Sequence, residues 1–162
     1  MRSPVLPALV LTLAGALTAA GAAQAQNVHV NPSNGFISRA VKVPAGSDML
    51  YVSGITPQAV PGAPAERPFG DTKTQVQSVL KQIGEIMAGQ GYTFEDVVMM
   101  RIVLVGDPAK GGGMDFAGMM EAYNEVYGPL KNKPARITSQ VAALVRPGMF
   151  AEIEVQAAKP AK

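Results

Sequence analysis

The chain has no cysteine, a single histidine and few charges, with Asp, Glu, Lys and Arg making up 16% of its 162 residues. Without thiols there is no disulfide framework, thiolate zinc site, iron–sulfur cluster or cysteine nucleophile, and no thiol redox chemistry. A Ser-His-Asp triad or a multi-histidine metal site would have to rest on His29 alone, close to a chain end where residues are usually mobile. The sequence therefore points to neither a metal nor an organic cofactor. Fourteen basic against twelve acidic side chains leave a formal charge of +2. Since no basic run exceeds Lys131-Asn132-Lys133, the electrostatic footprint of a nucleic-acid binder is missing. What is abundant is apolar: 48% hydrophobic residues exclude disorder of the acidic or polyampholyte kind.

Residues 1–25 read as an export signal. Arg2 is followed by an uncharged stretch of Leu, Val, Ala, Gly and Thr and then by Ala23-Gln24-Ala25, which fits the small-residue rule for signal-peptidase cleavage. The expected mature protein begins at Gln26 and is periplasmic or secreted, with no stable membrane insertion after cleavage. The rival reading is an uncleaved anchor, but much of the 19-residue uncharged stretch Val5–Ala23 is Ala, Gly and Thr and lacks flanking basic residues. Cleavage would leave 137 residues with a formal charge of 13 − 12 = +1, the size of one domain.

Residues 26–35 carry Asn-rich turns and a proline, and read as an irregular lead-in. Ile37–Val43 and Met49–Ser53 flank the turn Pro44–Asp48 and predict a hairpin. Residues 54–70, with four prolines and three glycines, predict a long surface loop. Over Asp71–Ala88, Val76, Val79, Leu80, Ile83, Ile86 and Met87 recur at spacings of three and four, predicting a helix that Thr72-x-x-Gln75 opens as a capping box. Val97–Val105 is apolar on both alternating faces except at Arg101, the pattern of a central strand. A glycine-rich loop over 106–113 leads to a second helix from about Asp115 to Val126, with Phe116, Met119, Met120, Tyr123 and Tyr127 along one face. Ile137–Leu144 and Met149–Ala157 predict a terminal hairpin. The resulting β-β-α-β-α-β-β order defines an α+β class with both helices on one face of a mixed sheet. No third helix remains for the other face, so self-association is the expected cover.

Ser38-Arg39-Ala40-Val41, Tyr51-Val52-Ser53-Gly54, Tyr123-x-x-Val126-Tyr127, Pro134-Ala135-Arg136 and Pro147-Gly148-Met149-Phe150-Ala151-Glu152-Ile153-Glu154 follow one another in the order of a known pattern. Across residues 36–158 the chain resembles the RidA/YjgF family of imine deaminases, leaving 159–162 as a tail. The resemblance implies a chorismate-mutase-like fold and a homotrimer whose sheets form a central barrel, with pockets at the subunit interfaces. It also implies that Arg136 holds a substrate carboxylate and that Glu152 positions the attacking water.

Both roles suit the residue types. A guanidinium presents a planar fork of donors to a carboxylate, and a carboxylate can take a proton from water. Period-two alternation puts Glu152 and Glu154 on one side of their strand, and only the motif favours Glu152. Ser53 and Gly54 offer a hydroxyl and a backbone amide at a strand end for a carboxylate or departing ammonia. Thr138 stands where many relatives have cysteine and brings a hydroxyl instead. Ile37 replaces the usual tyrosine and Met120 the usual asparagine, so a more apolar pocket is expected. The leading expectation is a deaminase releasing ammonia from a small imino or enamino carboxylate. The alternatives are a non-catalytic trimer that binds small carboxylates and a protein-interaction module with an exposed apolar patch.

Overall fold

A computed structural model describes residues 26–30 and 35–160. The expected export segment, residues 1–25, lies outside the described residues. The elements are β1 (Val28–Val30), β2 (Ala40–Lys42), β3 (Asp48–Ile55), α1 (Thr72–Gly89), β4 (Val97–Val105), α2 (Phe116–Tyr127), β5 (Ala135–Val141) and β6 (Ala151–Lys159), with 3-10 turns at Phe94–Asp96 and Pro108–Lys110. No helix among the described residues is long and apolar enough to cross a membrane.

The α1 stripe forms as its periodicity predicts. Val76, Val79, Leu80, Ile83 and Met87 are fully buried, each worth about 1.5–3 kcal/mol in transfer from water. Ile86 departs from the expected core and is 41% exposed. The helix opens on Asp71, whose carboxylate accepts from the Thr74 N–H at 2.8 Å. Gln75 is therefore not a capping residue. Its buried amide donates to the carbonyls of Gly70 at 3.1 Å and Gly148 at 2.9 Å, and accepts from the Phe150 N–H at 2.6 Å. One side chain thus ties together the end of the long loop and the start of β6.

β3, β6, β4 and β5 form one sheet in that order. β6 is antiparallel to both β3 and β4, and β5 is parallel to β4. The parallel pair needs a crossover, which α2 provides. Met100, Ile102 and Leu104 of β4 align with Val155, Ile153 and Ala151 of β6, and all six are buried on the helix-covered face. α1 packs on β3 and β6 and against α2. The alternate residues Met99, Arg101 and Val103 face the other way beside Gln156, Glu154 and Glu152. That face carries no helix and also exposes Tyr51 and Ile137.

Two expectations about local pairing are corrected. β2 pairs with β1 instead of with β3, through His29 opposite Val41, so Val28–Val30 is a strand and the lead-in is not wholly irregular. β5 and β6 are separated by β4 and form no hairpin, and Arg136 aligns with Met100. In both places the adjacent segments prefer partners that complete a sheet over the nearer turn. The long loop is tied to α1 through Thr56, Gln58 and Gly70 and also to the glycine-rich loop. Arg67 reaches the buried carboxylate of Asp107 at 2.6 Å, joining it to the glycine-rich loop.

Candidate functional site

The sequence-derived site residues fall into two groups on opposite faces of the sheet. Arg136 and Thr138 lie on edge strand β5 in register with Met100 and Ile102, hence on the helix side. The half-buried Arg136 guanidinium lies over the Tyr123 ring, 4.4 Å from its centroid. Its Nη1 and Nη2 both donate to the Met120 Sδ at 3.3 Å. Among the described residues it has no carboxylate partner. Burial pulls its pKa below the ordinary guanidinium value, with Tyr123 acting in the opposite direction.

Tyr123 is itself fixed. Its hydroxyl donates to the Phe36 carbonyl at 2.8 Å, and its other flank stacks on Tyr127 with ring centroids 4.6 Å apart. Tyr127 meets Phe94 edge-on at 5.5 Å. Arg136 thus caps a column of three aromatic rings running into the core. Just outside the strand, Ser38 docks on the start of β5, its N–H donating to the Pro134 carbonyl at 2.9 Å and its hydroxyl to the Lys133 carbonyl at 2.6 Å. Two positions beyond Arg136, the Thr138 hydroxyl oxygen is buried without a hydrogen-bond partner among the described residues. Such an oxygen is costly unless a ligand or solvent satisfies it.

The second group lies on the face without helices. The register between β3 and β6 shifts between Val52 and Ile55, so Ser53 and Gly54 bulge opposite Glu154. The bulge carries Gly54 against Glu152, whose carboxylate oxygen fills the space a side chain at 54 would need. Gly54, Arg101, Val103, Glu152 and Glu154 line a cavity of about 210 Å³. Within it Arg101 pairs with Glu154 at 3.3 Å, while Glu152 has no ion-pair partner among the described residues.

Gly54 and Glu152 are therefore brought together, as are Arg136 and Thr138, but strand parity keeps the two pairs on opposite faces of the sheet. Ser53 is exposed beside Gly54. Sequence reasoning put Tyr123 on the core face of its helix and gave Met120 both that face and, through the resemblance, the pocket position of the usual asparagine, but did not read that the two hold the guanidinium. Their spacing of three on α2, one turn apart, was the available signal.

The arrangement defines an α+β protein with a half-buried guanidinium on edge strand β5, lacking a carboxylate partner among the described residues, and a cavity lined by Glu152 and Glu154 on its open face. A family model described as Endoribonuclease L-PSP matches residues 26–159. A RutC family protein from Pyrococcus horikoshii is 32% identical over 122 residues, covering 75% of this chain and 86% of that protein. The chain belongs to this family, the RidA/YjgF family of its motifs. Its fold is shared by a Rid family protein of unknown function from Yersinia pestis, with a TM-score of 0.64 at 24% identity over 82% of this chain and 98% of that one. The structure of E. coli TdcF with bound serine matches with a TM-score of 0.54 and 27% identity, covering 72% of this chain and 84% of that one.

Proposed function

We propose that the protein is an exported, homotrimeric deaminase that hydrolyses a small imino or enamino carboxylate to a carbonyl compound and ammonia. The observation that carries this reading is the half-buried Arg136 guanidinium, which lacks a carboxylate partner among the described residues and has the unsatisfied Thr138 hydroxyl on the same strand face. A cation in this state favours an anionic ligand, and its planar fork matches a carboxylate. The serine bound in TdcF is such a ligand, a small carboxylate with nitrogen on the α carbon.

Arg136 holds the ligand carboxylate and leaves the imine carbon open to water. Glu152, facing the other side of its own sheet, serves a neighbouring protomer's ligand across a subunit boundary. It accepts a proton as the water oxygen bonds to the imine carbon and returns it to the nitrogen, and the resulting amino alcohol collapses as its hydroxyl proton passes to the nitrogen and the carbon–nitrogen bond breaks. The nitrogen leaves as ammonia and the carbonyl forms. No metal or organic cofactor takes part. Tyr51 and Ile137, 69% and 49% exposed on the bare sheet face, support burial of that face in an oligomer.

Met120 supports a second reading, a trimer that binds carboxylates without turning them over, because a thioether stands where the ligand oxygens would dock. Ammonia release from an imino acid generated in situ, measured beside calorimetric binding of the matching 2-oxo acid, separates the two. Release above the spontaneous rate with a trimeric mass in light scattering is expected. Binding without release favours the second reading, and a monomer removes the interface mechanism. Export is tested by the mass of the mature N-terminus, expected at Gln26.

A further inference from the structure

Met120 and Arg136 meet in a geometry that neither packing nor charge pairing explains. The Sδ lies 3.3 Å from both Nη1 and Nη2, and so on the bisector of the guanidinium's end-on fork. That fork is one of the edges on which a carboxylate docks with two parallel hydrogen bonds. The plane of the fork is fixed, because the guanidinium lies over Tyr123 and the Tyr123 hydroxyl is anchored on the Phe36 carbonyl. The sulfur therefore stands between the two oxygen positions of a bidentate carboxylate and blocks both.

A thioether is a weak acceptor, and the two N–H groups aimed at it belong to a half-buried cation. A carboxylate oxygen on the same donors makes a charge-assisted bond roughly twice as strong as a neutral one. Methionine is also the side chain best able to withdraw, with three rotatable bonds and no branch.

We propose that Met120 is a displaceable plug on Arg136: its thioether closes the fork at rest, and an incoming carboxylate drives it aside. The withdrawn side chain then lines the site as an apolar wall. The Tyr123 hydroxyl is already committed to Phe36, so beside Met120 the strand itself offers a ligand Arg136 and the Thr138 hydroxyl, while the proposed Glu152 of a neighbour faces the reacting carbon. The site accordingly selects small carboxylates with an apolar substituent over those with a polar one. This inference rests on the reading of Arg136 as a carboxylate site and adds a specificity-determining residue to it.

The test uses butanoate as probe, with butanamide as its uncharged counterpart and 4-hydroxybutanoate as its polar one, on the full oligomeric protein. With methyl-labelled methionine, butanoate is expected to move the Met120 methyl resonance and butanamide to leave it in place. The Met120 signal is assigned by its loss in Met120→Leu. In calorimetry, Met120→Ala is expected to bind butanoate about tenfold more tightly if the fork is open about a tenth of the time in the native protein. Met120→Leu, which keeps the volume and removes the sulfur acceptor, is expected to fall between Met120→Ala and the native protein. Butanoate is expected to outbind 4-hydroxybutanoate.

Arg136→Lys separates the two levels of the argument. If it binds butanoate as the native protein does, the Arg136 reading itself fails. If it binds more weakly while the Met120 methyl stays unmoved and Met120→Ala gains nothing, Arg136 keeps its role and the plug is overturned. Binding of butanoate by Met120→Ala alone supports a tighter plug, and binding by neither protein overturns both.

Discussion

The carboxylate of Glu152 occupies the space in which a side chain at Gly54 would begin. The β3 bulge and the β6 strand thus meet through an absent Cβ. Gly54→Ala would push a flexible carboxylate aside without disturbing the backbone of β6. Stability is expected to change little, while kcat for ammonia release falls by up to about a hundredfold, the scale of a displacement of roughly 1 Å at a reacting group. Urea denaturation and steady-state kinetics on the same preparation check the pair of outcomes.

Glu152→Gln removes the proposed proton acceptor and is expected to lower kcat by about 100-fold or more with little change in KM. Glu154→Gln is its control. That change breaks only the exposed pair with Arg101, a contact worth at most about 1 kcal/mol. Arg136→Lys keeps the charge but loses the fork, and is expected to cost about ten- to a hundredfold in kcat/KM, on the order of 1.5–3 kcal/mol. Full activity in Glu152→Gln and Arg136→Lys together with loss in Glu154→Gln would remove both assigned roles.

Gln75 is buried and fully satisfied, joining Gly70, Gly148 and Phe150. Gln75→Leu fills the volume and strands two carbonyls and an N–H. The expected loss is roughly 3 kcal/mol or more, at about 1–3 kcal/mol for a stranded buried group. Because Phe150 precedes β6 by one position, the same variant is expected to loosen Glu152, read as faster amide exchange at the start of β6.

Burial pushes the Tyr123 phenol up to about 12, with Arg136 acting in the opposite direction. A raised folded pKa means that the native state keeps a proton the unfolded chain has lost. The contribution is therefore whole below the ordinary value of 10.0 and disappears as pH rises through about 12. Tyr127 is shifted in the same direction. Tyr123→Phe is accordingly expected to lose less stability than the native protein between those two pH values. Denaturant midpoints measured across that interval give the comparison, and parallel curves for the two proteins would contradict it.

How much of this was visible in the chain alone depends on the range of the interaction. α1 was legible because its stripe is local, from Val76 to Met87, and β4 because a strand buried among neighbours is apolar on both sides. The misread capping box shows the limit: Thr72-x-x-Gln75 has the right spacing, yet Asp71 makes the cap and Gln75 bonds to Phe150, 75 positions away. Strand partners were misassigned for the same reason, since short turns suggest hairpins and nothing local says that β6 lies between β3 and β4. At the site, motifs located Arg136 and Glu152. Their placement on opposite faces depended on the parallel register of β5, which only the folded sheet defines.

β6, which follows β3, β4 and β5 in the chain, lies inside the sheet, between β3 and β4. While residues 151–159 remain in the ribosome, β3 has no partner in the sheet, and β4 has only β5. No fragment that stops before residue 151 can therefore assemble this sheet. The sheet stays open until residues 151–159 are available, and it then closes through contacts between distant segments. Chains that stop short of residue 151 are consequently expected to be cleared by proteolysis, with no stable truncated form left to accumulate.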